Sequence, residues 1–358
     1  MIPVRVLVVD DSAVVRKLLC EALASSPNIE VAGTAASGTI ALAKIPQLNP
    51  DLITLDLEMP GFNGLRTLGE IRRMYPKIPV IMVSSLTERG AAATLEALSL
   101  GASDYVTKPS QAANLASAIE QIRAELTTKI LLLCSWKSGA PTICAPTTAS
   151  TKREAAQRKE ILAIGASTGG PNALIEVIPR LPQDFPVPVV VVQHMPPMFT
   201  RLLAQRLDSL SLLRVGEAEP GRILEPGRVW IAPGDYHLRV TRKGSAAIMN
   251  LNQELPENSC RPAVDVLFRS VAEAFGPNVL AVVMTGMGSD GARGAIRIRE
   301  AGGEVLVQDE DSSVVWGMPG AVVNAGAADK VCALSEISSE IVRRVSLGRV
   351  LSAAAAWQ

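Results

Sequence analysis

The chain has 358 residues, a formal net charge of +0 and a hydrophobic content of 48%. That length exceeds the usual single core and favours two domains, and the neutral charge removes the broad attraction on which nucleic-acid and anionic-membrane binders rely. The five cysteines (Cys20, Cys134, Cys144, Cys260, Cys332) are odd in number and lack any CxxC pair, so they exclude a disulfide framework and a zinc site and read as reduced thiols.

The first apolar run, residues 4–9, meets Asp10 and Asp11. It offers neither a signal-peptide cleavage site nor the length of a membrane span, so a soluble cytoplasmic protein is expected. Further runs at 29–31, 52–55, 80–83 and 104–106 alternate with helical stretches such as 14–24 and 65–74. This alternation predicts a parallel sheet with helices on both faces, placed at residues 1–125. From about residue 126 to 158 the chain turns Pro-, Thr-, Ser- and Ala-rich, which reads as a linker, although the apolar patch 130–133 and Trp136 interrupt it. The pattern resumes over 159–358. A strand at 161–164, a helix from Pro171, a strand at 187–192 and a helix at 198–207 lead into β-like segments through Val240, bounded by Pro-Gly turns. A helix at 263–275, a strand at 279–284 and a last helical and strand set to about Leu347 follow. The expectation is a second α/β layer domain with an antiparallel insertion, and no repeat of 20 to 50 residues is present.

In open parallel sheets function collects at the C-terminal strand ends. In the first domain those ends carry Asp10 and Asp11, Asp56, Ser84 and Ser85, and Lys108. Three carboxylates at one point repel unless a hard cation sits among them, and Mg²⁺ bound through few carboxylates fits that need. Lys108 and a strand-end hydroxyl would then hold a phosphoryl group on the central aspartate. With Asp56-Leu57-Glu58-Met59-Pro60, Gly101-Ala102-Ser103-Asp104-Tyr105 and Lys108-Pro109 added, the domain resembles the receiver domain of two-component response regulators. The resemblance implies a flavodoxin-like fold, phosphorylation of Asp56 by a histidine kinase, and Mg²⁺ held by Asp10, Asp11, Asp56 and the Glu58 backbone carbonyl. It also implies phosphate sensing by Ser84 and Lys108, with Tyr105 as an aromatic switch.

In the second domain Ser167 sits on the glycine turn Gly165-Ala166-Ser167-Thr168-Gly169-Gly170, directly after an apolar strand. A serine there is exposed at a strand end beside unused backbone N–H groups, which suits a nucleophile and its oxyanion. The chain has only two histidines. His194 follows the next strand, so nucleophile and base come from adjacent strand ends, and Asp290 follows another strand on a glycine-rich loop at the same sheet edge, where it can orient the base. Taken singly, Ser167 could cap the helix at Pro171, His194 could be an ordinary loop residue and Asp290 a helix N-cap. The G-x-S-x-G elbow of α/β-hydrolases requires the order Ser, acid, His and would need His237, within the β insertion. A dinucleotide site is rejected because Gln193 and His194 stand where an acidic residue for the ribose is needed.

With Gln193-His194-Met195-Pro196, Ala232-Pro233-Gly234, Cys260-Arg261-Pro262-Ala263-Val264-Asp265 and Met284-Thr285-Gly286-Met287-Gly288, this domain resembles the catalytic domain of the chemotaxis protein-glutamate methylesterases. The resemblance implies a Rossmann-like serine hydrolase that demethylates γ-glutamyl methyl esters, and deamidates certain glutamines, on the cytoplasmic helices of chemoreceptors. It assigns Ser167 as nucleophile, His194 as base and Asp290 as orienter, with Thr168, Met287 and Gly288 bordering the oxyanion and no cofactor for the ester chemistry. His237, Arg261 and Asp265 match positions of structural or substrate-adjacent role. An unphosphorylated receiver is expected to cover the second site. The alternative is a response regulator whose output domain only binds protein; no nucleic acid and no membrane insertion are expected.

Overall fold

The structure is a computed structural model and describes residues 2–60, 63–108, 115–135 and 157–355. It divides into two units, Met1–Ile143 and Cys144–Gln358.

The first unit is a five-stranded parallel sheet. Its strands are β1 (Val4–Val9), β2 (Ile29–Ala35), β3 (Leu52–Asp56), β4 (Val80–Ser84) and β5 (Asp104–Thr107), in the order β2-β1-β3-β4-β5. That is the flavodoxin-like order. Every residue of β3 and β4 is buried, as expected of β-branched and aliphatic runs with helices on both faces. The intervening helices are α1 (Ala13–Ala24), α2 (Gly38–Leu48), α3 (Gly64–Met74) and α4 (Glu88–Ser99). Each opens on a side chain that accepts a first-turn N–H: Ser12, Ser37, Asn63 and Thr87. The next helix, α5 (Leu115–Leu133), carries the first unit beyond the boundary expected at residue 125. Leu126, Ile130 and Cys134 are buried in the same core as Val6, Val8 and Leu52. The apolar patch that interrupted the linker pattern is thus the buried face of a helix. Trp136 and the rest of the expected linker, up to residue 156, lie outside the described residues.

The second unit is built on seven strands, all paired in parallel, in the order β14-β13-β12-β6-β7-β9-β8. In chain order they are β6 (Ile161–Ala166), β7 (Val189–Gln193), β8 (Arg214–Glu217), β9 (Arg228–Ile231), β12 (Val279–Val283), β13 (Glu304–Gln308) and β14 (Lys330–Cys332). Among the described residues, the strands that pair antiparallel are β10 (His237–Lys243) and β11 (Ala246–Asn252), which form a separate two-stranded sheet. The antiparallel pair expected in this domain is present as β10 and β11, while β8 and β9, which read as part of the same insertion, extend the main sheet. The helices are α6 (Gly170–Val177), α7 (Pro197–Leu210), α8 (Val264–Phe275), α9 (Ala292–Glu300), α10 (Gly317–Asn324) and α11 (Leu334–Ala355). No described helix is long and apolar enough to cross a membrane.

The strand order reverses at β6, whose neighbours are β7 on one side and the much later β12 on the other. A crevice at such a switch point is where open α/β sheets bind ligands. The start of α8 packs directly over this point: a Cβ on Gly165 would stand 2.4 Å from Val264 Cγ1. Val264 is buried and β-branched, so it has no room to move aside. Gly165→Ala is therefore expected to destabilise the second unit by about 1–3 kcal/mol through overpacking. A lowered urea midpoint would show it, and an unchanged midpoint would mean that α8 shifts freely.

Candidate active site

The first unit gathers its acidic residues at the C-terminal ends of β1 and β3. Asp10 and Asp56 are fully buried, Asp11 is exposed, and one ligand atom from each lies within 4.8 Å of the others. Lys108 follows β5 and places its Nζ 2.9 Å from Asp56 Oδ1 and 3.2 Å from Asp10 Oδ2. Burial, with the Asp56 charge adding to it, pushes the Asp10 carboxyl above its usual range, against the pull of Lys108. Burial works against the Lys108 charge, but Asp56 and Asp10 hold that ammonium above its usual range. Asp56 Oδ2 is buried without a hydrogen bond, and Asp10 Oδ2 has the Lys108 ammonium beside it. A hard oxygen left unsatisfied at a carboxylate cluster fits Mg²⁺.

Three other expected members are placed differently. Ser84 is buried and donates to Gly90 O at 3.1 Å while accepting from Thr94 Oγ1 at 2.7 Å, so its hydroxyl engages α4 and not Asp56. Tyr105 is buried beneath the Lys129 ammonium, 5.1 Å from the ring centroid, and burial drives its phenol well above the usual value. The Glu58 N–H donates to Asp56 Oδ1 at 3.2 Å.

In the second unit Ala166 and Gln193 are register partners at the ends of β6 and β7. Ser167 and His194 stand one residue beyond them, and the His194 N–H donates to Ala166 O at 3.2 Å. Gln193 ties the two turns together, its Nε2 donating to Ser167 O at 2.9 Å and to His194 O at 3.3 Å. The Ser167 N–H donates to Thr285 O at 3.0 Å, linking this turn to the chain beyond β12. The N-cap of α6 is Gly169, at φ 77° and without any side-chain cap. That left-handed conformation suits glycine. The capping role considered for Ser167 is therefore absent, and its half-buried Oγ has no hydrogen bond among the described residues.

His194 Nε2 lies 2.8 Å from Asp290 Oδ2. A carboxylate only accepts, so Nε2 carries a proton and Nδ1 is the nitrogen available as a base. Asp290 is buried and does cap a helix, but α8 rather than the one that follows it. Its oxygens accept the N–H groups of Val264 (2.6 Å), Asp265 (2.9 Å) and Gly291 (3.0 Å), and Asn258 Nδ2 at 2.8 Å. Burial alone would raise the Asp290 carboxyl, but His194 and these N–H groups hold it below the usual range. Burial alone would lower His194, but its hydrogen bonds to Asp290 and Cys260 raise it to about 9.

The remaining positions support this arrangement. His237 is buried, accepts the Ala263 N–H at Nδ1 (3.2 Å) and donates from Nε2 to Leu255 O (3.2 Å). It fixes the entry to α8, and both its nitrogens are committed there. Arg261 pairs with Asp235 and donates to the carbonyls of Gln253 and Glu254. Asp265 accepts the Gly294 N–H at 2.7 Å and Asn258 Nδ2 at 3.0 Å, and burial raises its carboxyl.

Beyond β12, Gly286 is bound on both sides, its N–H to Val315 O and its carbonyl to the Met318 N–H. The N–H groups of Met287 and Gly288 meet no acceptor among the described residues. Thr168 is buried nearby in this network, its carbonyl accepting from Thr285 Oγ1 at 2.9 Å. Asn258, Cys260 and Gln193 carried no assigned role in the sequence. The only local signal for Asn258 is its place in a Glu-Asn-Ser turn, where it adopts φ 52°.

Comparison with known proteins follows the same division. Residues 162–341 match the CheB methylesterase family and residues 6–120 match the response regulator receiver domain. A protein-glutamate methylesterase/protein-glutamine glutaminase of Trichodesmium erythraeum is 52% identical, across 95% of this chain and 99% of its own. One from Nocardioides sp. is 51% identical, across 97% and 96%. The CheB methylesterase catalytic domain of Thermotoga maritima, known from a crystal structure, is 45% identical with a TM-score of 0.51, covering 52% of this chain and 98% of that one. Receiver and catalytic domain together, the chain belongs to the CheB family, whose members are named protein-glutamate methylesterase/protein-glutamine glutaminase.

Proposed function

We propose that this chain hydrolyses γ-glutamyl methyl esters on the cytoplasmic helices of chemoreceptors, and deamidates glutamines there, under control of phosphorylation at Asp56 by a histidine kinase. The observation that carries the reading is the placement of Ser167, His194 and Asp290 at three adjacent strand ends, with the imidazole bound to a buried, multiply anchored carboxylate. Ser167 Oγ attacks the ester carbonyl while His194 Nδ1 takes its proton. The Met287 and Gly288 N–H groups stabilise the oxyanion, beside Thr168. His194 returns the proton to the departing methanol, or to ammonia from a glutamine, and then activates the water that releases Ser167. Asp290 fixes the ring and stabilises its cation throughout.

In the first unit Asp56 accepts the phosphoryl group, and Asp10, Asp11 and Asp56, with the Glu58 carbonyl, would hold the cation. Mg²⁺, when bound there, neutralises charge that builds up on the phosphoryl oxygens. Lys108 pairs with the phosphoryl group once formed, and Ser84 and Tyr105 sense it by leaving the contacts described above. The test is methanol release from methylated receptors with and without a small phosphodonor. Phosphodonor should raise the rate in the wild type and not in Asp56→Asn; equal stimulation of both would refute control through Asp56.

The state of His194 sets the pH dependence. Only the neutral ring accepts a proton, so kcat/KM is expected to rise with pH up to a limb near 9. The stability contribution runs in the opposite sense. An unfolded histidine loses its proton near 6.5, so the His194 contribution is complete below that value and is lost as pH rises through about 9. A rate profile that levels off by pH 7 would contradict this expectation.

A further inference from the structure

Cys260 is outside the three residues that the reaction requires, yet its Sγ lies 3.5 Å from His194 Nδ1. Nε2 is committed to Asp290, so Nδ1 is the one ring nitrogen that can receive the Ser167 proton. Ser167 Oγ, for its part, has no hydrogen bond among the described residues. The nitrogen the nucleophile needs is thus engaged by a thiol. The geometry points to Cys260 as a latch on the base, a positioning residue that occupies His194 Nδ1 until Ser167 and a bound ester displace it.

The inference rests on the reading of His194 as the base. With the ring raised to about 9, Nδ1–H donates to Sγ in the charged ring, which favours that form; once the ring is neutral, the thiol S–H turns to Nδ1 instead. Either form denies Nδ1 to Ser167. The ionisable groups that act on the ring are Asp290, from the loop after β12, and Cys260, from the turn before α8. Behind Asp290 stand Asp265, bridged through Asn258, and Glu257, paired with Arg269 and within the influence of Arg293. On the ring's own turn, Gln193 contributes only a neutral amide. Cys260 raises the proton affinity of the ring alongside Asp290. Removing the thiol while keeping Asp290 should therefore lower that affinity and free Nδ1.

Two readouts on the full chain test this. One is the NMR titration of the His194 imidazole in a Ser167→Ala background, with assignment by loss of the signal in His194→Gln. The other is the rate at which a fluorophosphonate labels Ser167 at pH 7. Cys260→Ala is expected to lower the titration midpoint by on the order of one pH unit. Each such unit raises the neutral fraction at pH 7 about tenfold, and labelling should quicken by about that factor. Cys260→Ser keeps a group of similar size that can accept from the charged ring and should return both readouts toward wild type, which a purely structural role of this position would not produce. An unchanged midpoint and an unchanged labelling rate in Cys260→Ala would overturn the latch, as would slower labelling at an unchanged midpoint. If instead Ser167→Ala retained methanol release while the midpoint still moved, the esterase reading would fall and the coupling of Cys260 to the ring would stand.

Discussion

Ser167→Ala is expected to lower methanol release from methylated receptors by on the order of 10⁴-fold, the loss typical when a triad nucleophile is removed. The same variant should keep its stability within about 0.5 kcal/mol, because the hydroxyl makes no hydrogen bond among the described residues and caps no helix. Phosphoryl transfer to Asp56 should also proceed at the wild-type rate, since that chemistry uses residues of the first unit only. A pair of assays checks this: methanol release with saturating receptor, and incorporation of phosphate from a small phosphodonor. Retention of more than a few per cent of the turnover would remove Ser167 from the nucleophile's role. The glutaminase reaction should fall by a similar factor, because amide and ester pass through the same attack.

Substitution at Asp290 should combine two losses that Ser167→Ala separates. Its carboxylate accepts three backbone N–H groups, the Asn258 amide and the His194 ring. Asp290→Ala leaves these donors unpaired in a buried place, and a cost of about 3–5 kcal/mol is expected, by analogy with removing one partner of a buried charge pair. Asp290→Asn keeps the volume and part of the accepting capacity, so less stability is lost. Its amide can nevertheless present an N–H toward Nε2, which favours the wrong tautomer, and turnover should drop by on the order of 10⁴-fold. Urea denaturation together with methanol release distinguishes the effects. Wild-type stability in Asp290→Ala would show that the start of α8 finds other acceptors, and near-wild-type turnover in Asp290→Asn would show that the tautomer is not set here.

The alternation of aliphatic strands and helices was legible because each strand of a parallel sheet is buried on both faces and must read as a short apolar run. Two features escaped the pattern. The segment after residue 125 looked like linker, because a helix that buries one narrow face, Leu126, Ile130 and Cys134, is hard to tell from a loop when Pro- and Thr-rich sequence follows at once. Strands β8 and β9 looked like part of the antiparallel insertion, because a four-residue strand carries no mark of the direction in which it pairs. Local propensity is silent on that choice, and tertiary pairing decides it.

Glycines and scarce residues made the second site readable. Gly165-Ala166-Ser167-Thr168-Gly169-Gly170 marked a tight turn after a strand, and with only two histidines in the chain the choice of base was narrow. The partners of those residues were not readable, since Asn258, Cys260 and Gln193 are ordinary polar residues until the fold sets them beside Asp290, His194 and Ser167.

The sequence by itself determined the two α/β domains and the strand-end location of the acidic cluster and of Ser167, His194 and Asp290, because each follows from periodicity and local turn chemistry, while the family was legible from the resemblance of its motifs. Tertiary structure alone decided which helix Asp290 caps, which nitrogen of His194 remains open, and that a thiol rather than the serine faces it. Those are contacts between segments 26 to 96 residues apart, made by side chains only when neighbouring strands and the start of α8 converge on the switch point. No local preference encodes a distance of that kind.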